Sequence, residues 1–358
     1  ANLAGPERRR AISPRPPYPR SLGRGGCGAG VCQHRGRSRR MLHSHTFSTK
    51  KIQKVRSDFE LNPTLQAGET WGAGGMKVSR SIQEYRVWRK SLETDGLVGF
   101  FPTMGALHEG HLDLARECKS KCAVVVSSIF VNPAQFAAHE DLGTYPRQQE
   151  EDLAKLEKAG VDMVFMPTSE MMYPEGYDTY IACDVGSGRN EGAVRPHFFR
   201  GVATVCCKLF NIVRPDCVFF GQKDAQQCVV IQHMVRDLNL DIDVCIVPTR
   251  REEDGLAMSS RNQYLTTEDR PRALVLFKAL SKGKELVEGG ASSGKAVCDA
   301  MKEVFTQEPS FDLQYASLLD RSTLLDVEDI QAHKEVLLSV AGKLGTTRLI
   351  DNIPVKVP

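Results

Sequence analysis

No apolar run in this chain approaches the ~20 residues that a membrane-spanning helix requires, so a helical membrane protein is not expected. There is no Cys-x-x-Cys pair, and the eleven cysteines are an odd number without regular spacing. Several of them (Cys206, Cys207, Cys217, Cys228) fall inside apolar stretches. Reduced core thiols in a reducing compartment are therefore expected, not a disulfide framework or a zinc site. No internal repeat is present, which removes solenoids and propellers. Acidic residues are nearly missing from positions 1–57, where Glu7 stands alone against fourteen Lys and Arg. That stretch carries +13, and the rest of the chain carries −10 within a net charge of +3. The basicity belongs to a tail and not to a face of the fold, so nucleic acid is not an expected partner.

What is present is ordinary for a soluble globular protein: 41% hydrophobic and 25% charged residues. A chain of 358 residues can bury a large core and is long enough for more than one domain. Residues 1–75 are rich in Arg, Gly, Pro and Ser with little periodicity, and disorder is expected there. Within them, residues 39–51 are basic, bear Ser and Thr and contain no acid, as mitochondrial presequences tend to. The expected location is accordingly cytoplasmic or mitochondrial.

The folded body begins near Val78 with a helix over 81–93. Residues 97–101 form a short apolar run with the length of a buried strand, expected to end at Pro102, which cannot donate to a ladder. Gly105 and Gly110 allow tight turns, and helical spacing sets in from His111. Residues 123–130 read as a second buried strand, which completes a βαβ unit. Its first loop places His108 and His111 beside a helix N-terminus, where unpaired N–H groups and the dipole attract anions; such a site suits a polyphosphate. Further on, helices are expected over 147–159, 199–213 and 224–238. Strands are expected over 162–166, 217–220 and 242–247, with a short edge strand over 178–183. This alternation implies an α/β fold: a Rossmann-like parallel sheet with helices on both faces, spanning 76–255. Ligands of such sheets sit beyond the C-terminal strand ends, so the motifs after these strands should converge on one cleft. The character then changes. A long helix over 266–288, another over 294–305 and strands at 313–317, 336–340 and 347–350 imply a smaller α+β domain, 256–358, lying over the cleft.

The motif Pro-Thr-Met-Gly-Ala-Leu-His-Glu-Gly-His at 102–111 resembles the signature of the pantoate–β-alanine ligases, members of the HIGH-type nucleotidylyltransferase superfamily. The likeness continues through Ser-Ile-Phe-Val-Asn-Pro-Ala-Gln-Phe at 128–136, Glu-Asp-Leu-Gly-Thr-Tyr-Pro-Arg at 140–147, Phe-Gly-Gln-Lys-Asp-Ala-Gln-Gln at 220–227 and Asp-Gly-Leu-Ala-Met-Ser-Ser-Arg-Asn at 254–262. It covers Met76 to the C-terminus. It implies ATP-dependent condensation of pantoate with β-alanine through a pantoyl adenylate, releasing AMP and pyrophosphate. It also implies Mg²⁺ and a homodimer. His108, His111 and Lys223 are then the catalytic candidates, with His111 the proton donor. Met104, Gly105, Gly110, Gly221, Asp224, Met258, Ser259, Ser260 and Arg261 join them in binding ATP, the last three in the role of a KMSKS loop. Gln135 and Gln227, with Asn132 alongside, are the candidates for pantoate. Glu151 and Asp152 stand where the family keeps acidic residues near magnesium, and Asp152 is the candidate metal ligand.

The chain departs from the family pattern at His197 and Phe198, where Gly and His are usual, and at Gln222, Ala225 and Arg250. None of these removes a group assigned to phosphate. Two rivals stand beside the ligase: a nucleotidylyltransferase of the same superfamily acting on another acceptor, and a non-enzymatic module. The Gln135 and Gln227 motifs favour the ligase over the first, and the intact phosphate-binding groups disfavour the second.

Overall fold

A computed structural model of the chain describes residues 75–137 and 140–358. The expectations for residues 1–74, disorder and targeting, lie outside the described residues. Six strands make one wholly parallel sheet: β1 (Lys77–Ser79), β2 (Val98–Thr103), β3 (Val124–Ile129), β4 (Met163–Phe165), β5 (Cys217–Gly221) and β6 (Asp243–Val247). Their order is β1-β4-β3-β2-β5-β6. The chain walks outward from β2 through β3 to β4, then returns to lay β5 on the other side of β2. The direction of winding therefore reverses between β2 and β5, the switch point at which open α/β sheets bind ligands.

Consecutive side chains on a strand point to opposite faces, and the core divides accordingly. Phe100, Val126 and Phe220 pack on one face with the helix Phe198–Val213. Phe101, Val125 and Phe219 pack on the other with the helices Glu109–Lys121 and Gln149–Lys158. A strand covered on both sides has no polar face to show, which is why these segments read as continuous apolar runs.

Beyond residue 264 the helices Val275–Glu288 and Gly294–Thr306 pack against an antiparallel sheet, β7 (Phe311–Asp320), β8 (Glu335–Leu344) and β9 (Thr347–Lys356). Leu280, Met301 and Leu338 centre its core. No helix of the described residues is long and apolar enough to cross a membrane.

Three local expectations are corrected, and one strand was unforeseen. Strand β2 does not stop at Pro102 but pairs through Thr103 with β3. The Thr103 carbonyl accepts from the Phe130 N–H on the β3 side. Alternation then aims the Pro102 nitrogen at the β5 side, where pairing has already ended at Phe100. The helix expected over 266–288 is broken at Ala273 and Leu274: the Leu274 and Leu276 N–H groups donate to the third preceding carbonyls, of Pro271 and Ala273, in place of the fourth. Residues 178–183 form no strand. Their neighbour is a helix, whose backbone groups are already paired, so the Ile181 N–H donates to the Thr204 hydroxyl at 2.9 Å instead. Strand β1 was not expected at all; three residues are too few to show a period.

Candidate active site

The histidine loop is built from the backbone outward. After Thr103 the chain turns through Gly105 at φ +86 and Ala106 at φ +52, both left-handed. It then enters the helix Glu109–Lys121 with His108 as its N-cap. His108 Nδ1 accepts from the Gly110 N–H at 3.1 Å, and the His108 N–H donates to His111 Nδ1 at 3.3 Å. A Cβ on Gly110 would lie 3.0 Å from the His108 ring, so glycine is what lets that ring fold back over the turn. The two rings sit 4.1 Å apart. With both Nδ1 atoms accepting, a neutral ring carries its proton on Nε2, the nitrogen left for a ligand.

Electrostatics favour that neutral form. Burial, and then the nearby Lys223 ammonium, lower the His108 pKa to about 4. Burial, His108 and Lys223 hold His111 well below the ordinary histidine value. At neutral pH the pair offers two N–H donors and not two cations.

Strand β5 ends beside this loop. A single helical turn, Gln222–Asp224, then leads into the helix Ala225–Asp237. Lys223, Asp224 and Gln227 line the same cleft, of about 870 Å³, as His108 and His111. The backbone under Lys223 is held from β9: Asn352 Nδ2 donates to the carbonyls of Gln222 and Lys223 at 3.0 and 2.8 Å.

A second segment of the cleft lining carries Met258, Ser259, Ser260 and Arg261. Ser259 Oγ accepts from the Arg261 N–H, and Ser260 Oγ lies 3.2 Å from the Tyr145 hydroxyl. Arg261 is not an unattached guanidinium, for it grips both Asp141 oxygens at 3.0 and 2.9 Å. Met104, Gly110 and Gly221 also line the cleft, whereas Gly105 does not, its Cα facing Asp152 and Ile129.

Asn132 and Gln135 are buried at one end of the cleft. Asn132 donates to Gln135 Oε1 at 3.0 Å and to the Gly201 carbonyl at 3.3 Å, and accepts from the Tyr173 hydroxyl at 2.7 Å. Its polar groups are thus used within the protein, which makes it a support for Gln135. Gln135 in turn reaches the Met104 sulfur.

The candidate metal ligand lies elsewhere. Asp152 is 1% exposed, and both its oxygens accept backbone N–H groups, from Ala106 and Leu107, at 2.8 Å. Glu151 pairs with Lys155 on the surface. Among the described residues no group of three or more His, Cys, Asp or Glu is arranged to hold a metal ion. The expectation of Asp152 as a metal ligand is therefore corrected: its buried carboxylate faces the loop's N–H groups and does not line the cleft.

A buried charge network was not foreseen. Glu191, 5% exposed, accepts from Arg348 Nη1 at 3.0 Å, from Arg348 Nη2, and from the Tyr315 hydroxyl at 2.9 Å. Arg195 lies 3.6 Å from Glu191, binds both Glu140 oxygens, and stacks 3.8 Å over the Phe198 ring. That stacking gives the Phe198 departure a packing role. Ala225 is buried against Leu319 and Leu337 of the C-terminal sheet, and Arg250 sits on the cleft rim 3.4 Å from Asp113. Partners up to 157 residues apart leave no local sign in a sequence. Only the acidic and basic residues inside otherwise apolar or Gly-rich stretches hinted at them.

The family model described as pantoate-beta-alanine ligase matches residues 77–354. The chain belongs to that family. It is 49% identical over 277 residues to the pantothenate synthetase of Chloroflexus aggregans, covering 77% of this chain and 99% of that one. To the pantothenate synthetase of Heliobacterium modesticaldum it is 47% identical over 283 residues, covering 79% and 100%. Among solved structures, pantothenate synthetase from Thermus thermophilus superposes with a TM-score of 0.73 at 44% identity, covering 78% of this chain and 99% of that one. The pantoate-beta-alanine ligase of Francisella tularensis, complexed with beta-gamma ATP and beta-alanine, gives 0.64 at 32%, covering 78% and 97%. The cleft at the β2/β5 switch point is thus the place where this family's ligands are to be sought.

Proposed function

We propose that the cleft joins pantoate to β-alanine at the expense of ATP. A pantoate carboxylate oxygen attacks the α-phosphorus, the bond to the bridging oxygen breaks, and pyrophosphate leaves. The uncharged β-alanine amine then attacks the acyl carbon, loses a proton and expels AMP. The observation that carries this reading is the convergence of two neutral imidazole donors, the Lys223 ammonium and Ser259, Ser260 and Arg261 on one cleft. Little covalent work falls to the protein in such a transfer; donors aimed at the leaving group and in-line placement supply most of the acceleration.

In this reading His108 and His111 donate Nε2–H bonds to phosphate oxygens, and Lys223 adds a point charge. With its pKa depressed, His111 acts as a hydrogen-bond donor more readily than as a proton source. Met104, Gly110, Gly221, Asp224 and Met258 shape the nucleotide side. Gln135 and Gln227 supply neutral groups for the pantoate hydroxyls and carboxylate. Mg²⁺ would arrive on the phosphates, which commonly supply most of its ligands. A homodimer, as the resemblance implies, is checked by sedimentation.

The test is pyrophosphate exchange. With pantoate, ATP and Mg²⁺ but no β-alanine, labelled pyrophosphate should enter ATP. Adding β-alanine should divert the intermediate to pantothenate and release AMP. ADP as the product would mean an acyl phosphate and a different mechanism. Exchange that ignores pantoate but answers to another acceptor would make the enzyme a nucleotidylyltransferase.

A further inference from the structure

The helix Gln149–Lys158 runs beside the histidine loop and touches it with two side chains on one face, three residues apart. Asp152 receives the Ala106 and Leu107 N–H groups, one on each oxygen, at 2.8 Å. Lys155 Nζ donates to the Leu107 carbonyl, also at 2.8 Å. Together they hold three backbone groups of the segment that is hardest to form. Ala106 sits at φ +52, a conformation that residues other than glycine seldom adopt, directly after Gly105 at φ +86. Successive N–H groups in such a turn converge into a concavity suited to an anion, and here the anion is the protein's own carboxylate. A Cβ on Gly105 would come within 3.0 Å of Asp152 Oδ2, so the turn and the carboxylate are fitted to each other.

The loop's next residues are the N-cap His108 and, one turn on, His111, whose Nδ1 orientation depends on the His108 N–H. We propose that Asp152, assisted by Lys155, is a positioning residue for the adenylation step: it fixes the left-handed turn that aims the two imidazole Nε2–H groups into the cleft. It touches no substrate and acts through the loop. The inference rests on the ligase reading for its kinetic consequence, but its structural content is independent of that reading.

Asp152→Asn is the informative substitution, because an amide keeps the size but faces one of the two N–H groups with a donor. Pantoate-dependent pyrophosphate exchange should fall on the order of 10²-fold, the usual penalty for a misplaced catalytic group, with the Mg²⁺ concentration for half-maximal rate unchanged. Adding Ala106→Gly to Asp152→Asn should recover roughly tenfold, since glycine takes the left-handed conformation without the penalty that alanine bears. Lys155→Met, a milder loosening of the same turn, should lose activity in the same direction if Asp152→Asn yields too little folded protein. Nitrogen-15 spectra of the histidines, taken without substrates, give a readout separate from activity. The wild type should show both rings as the Nε2–H tautomer, and Asp152→Asn or Lys155→Met should disturb it. Unaltered tautomers in both variants would overturn the proposal. So would a normal maximal rate with a raised Mg²⁺ requirement, which would return Asp152 to metal binding. A wild type without exchange but with the expected tautomer change would sink the ligase reading and leave the positioning role standing.

Discussion

Around His108 and His111 the contacts that set geometry run to backbone amides: a cap, a nest and a ring-to-backbone bond, all within one loop and the helix beside it. Around Arg251 and Arg261 they run between side chains of opposite charge drawn from distant segments. Arg251 grips both Asp351 oxygens at 2.6 and 3.0 Å across 100 residues, and Arg261 grips Asp141 across 120. The first wall is built to present neutral donors at fixed positions. The second fastens β9 and the 258–264 loop to the body of the enzyme. Substitutions on the first wall should therefore cost rate with little stability, and those on the second should cost stability first.

The largest effect should come from Arg251→Met. Asp351 is almost fully buried, and removing its partner leaves a carboxylate with the Asn352 N–H but no countercharge beside it, typically about 3–5 kcal/mol of stability. Denaturant unfolding should show that loss in the midpoint. A change below about 1 kcal/mol would mean that water reaches Asp351 freely, and the contrast between the walls would fail.

His111→Ala and Lys223→Ala should do the reverse. Each removes one preorganised contact to the leaving group, a loss of roughly 10²–10³ in rate, while the unfolding midpoint stays close to that of the wild type. Folded His111→Ala with near wild-type turnover would remove the histidines from the mechanism.

Acid should separate the walls more gently. The folded pKa of His108, about 4, lies below its ordinary value of 6.5, so between those values the unfolded chain binds more protons than the folded one. The stability tied to its neutral form is complete above about pH 6.5 and is lost as pH falls toward 4. His108→Asn keeps a capping acceptor but cannot titrate, and its stability profile should be flatter across that window. An identical slope in both proteins would place the acid sensitivity elsewhere.

The contrast also explains what could be read from the residues alone. The parallel sheet and the switch-point cleft were legible because β2, β3 and β5 are short apolar runs that end in Gly, Pro or Asn next to polar motifs. The histidine loop was legible because its contacts are local: Gly105, His108, Gly110 and His111 stand within seven positions. The second wall was legible only in its motif residues. Asp141 and Arg261 could be named, but nothing in either neighbourhood pairs them. Resemblance assigns Asp152 to a metal, because the family keeps acidic residues near magnesium there; its actual partners, the Ala106 and Leu107 N–H groups 46 and 45 residues away, leave no sign beside it in the sequence.

The smallest effect tests the seam between the walls. Tyr145 lies under the 258–264 loop, its ring buried against Phe136 and Ala106 and its hydroxyl 3.2 Å from Ser260 Oγ. Tyr145→Phe keeps the ring packing and deletes one hydrogen bond, ordinarily worth about 0.5–1.5 kcal/mol. Here the lower end is expected. Ser260 is only partly buried and can bond water, while Arg261 on Asp141 and the Tyr264 hydroxyl on the Thr144 carbonyl keep the loop docked. Pyrophosphate exchange should slow by less than about tenfold, the equivalent of 1.4 kcal/mol, and unfolding should barely move. A loss as deep as that of Lys223→Ala would show that the hydroxyl, or the Ser260 rotamer it selects, acts on the phosphates directly. Tyr145 would then belong to the machinery of the cleft and not to its seam.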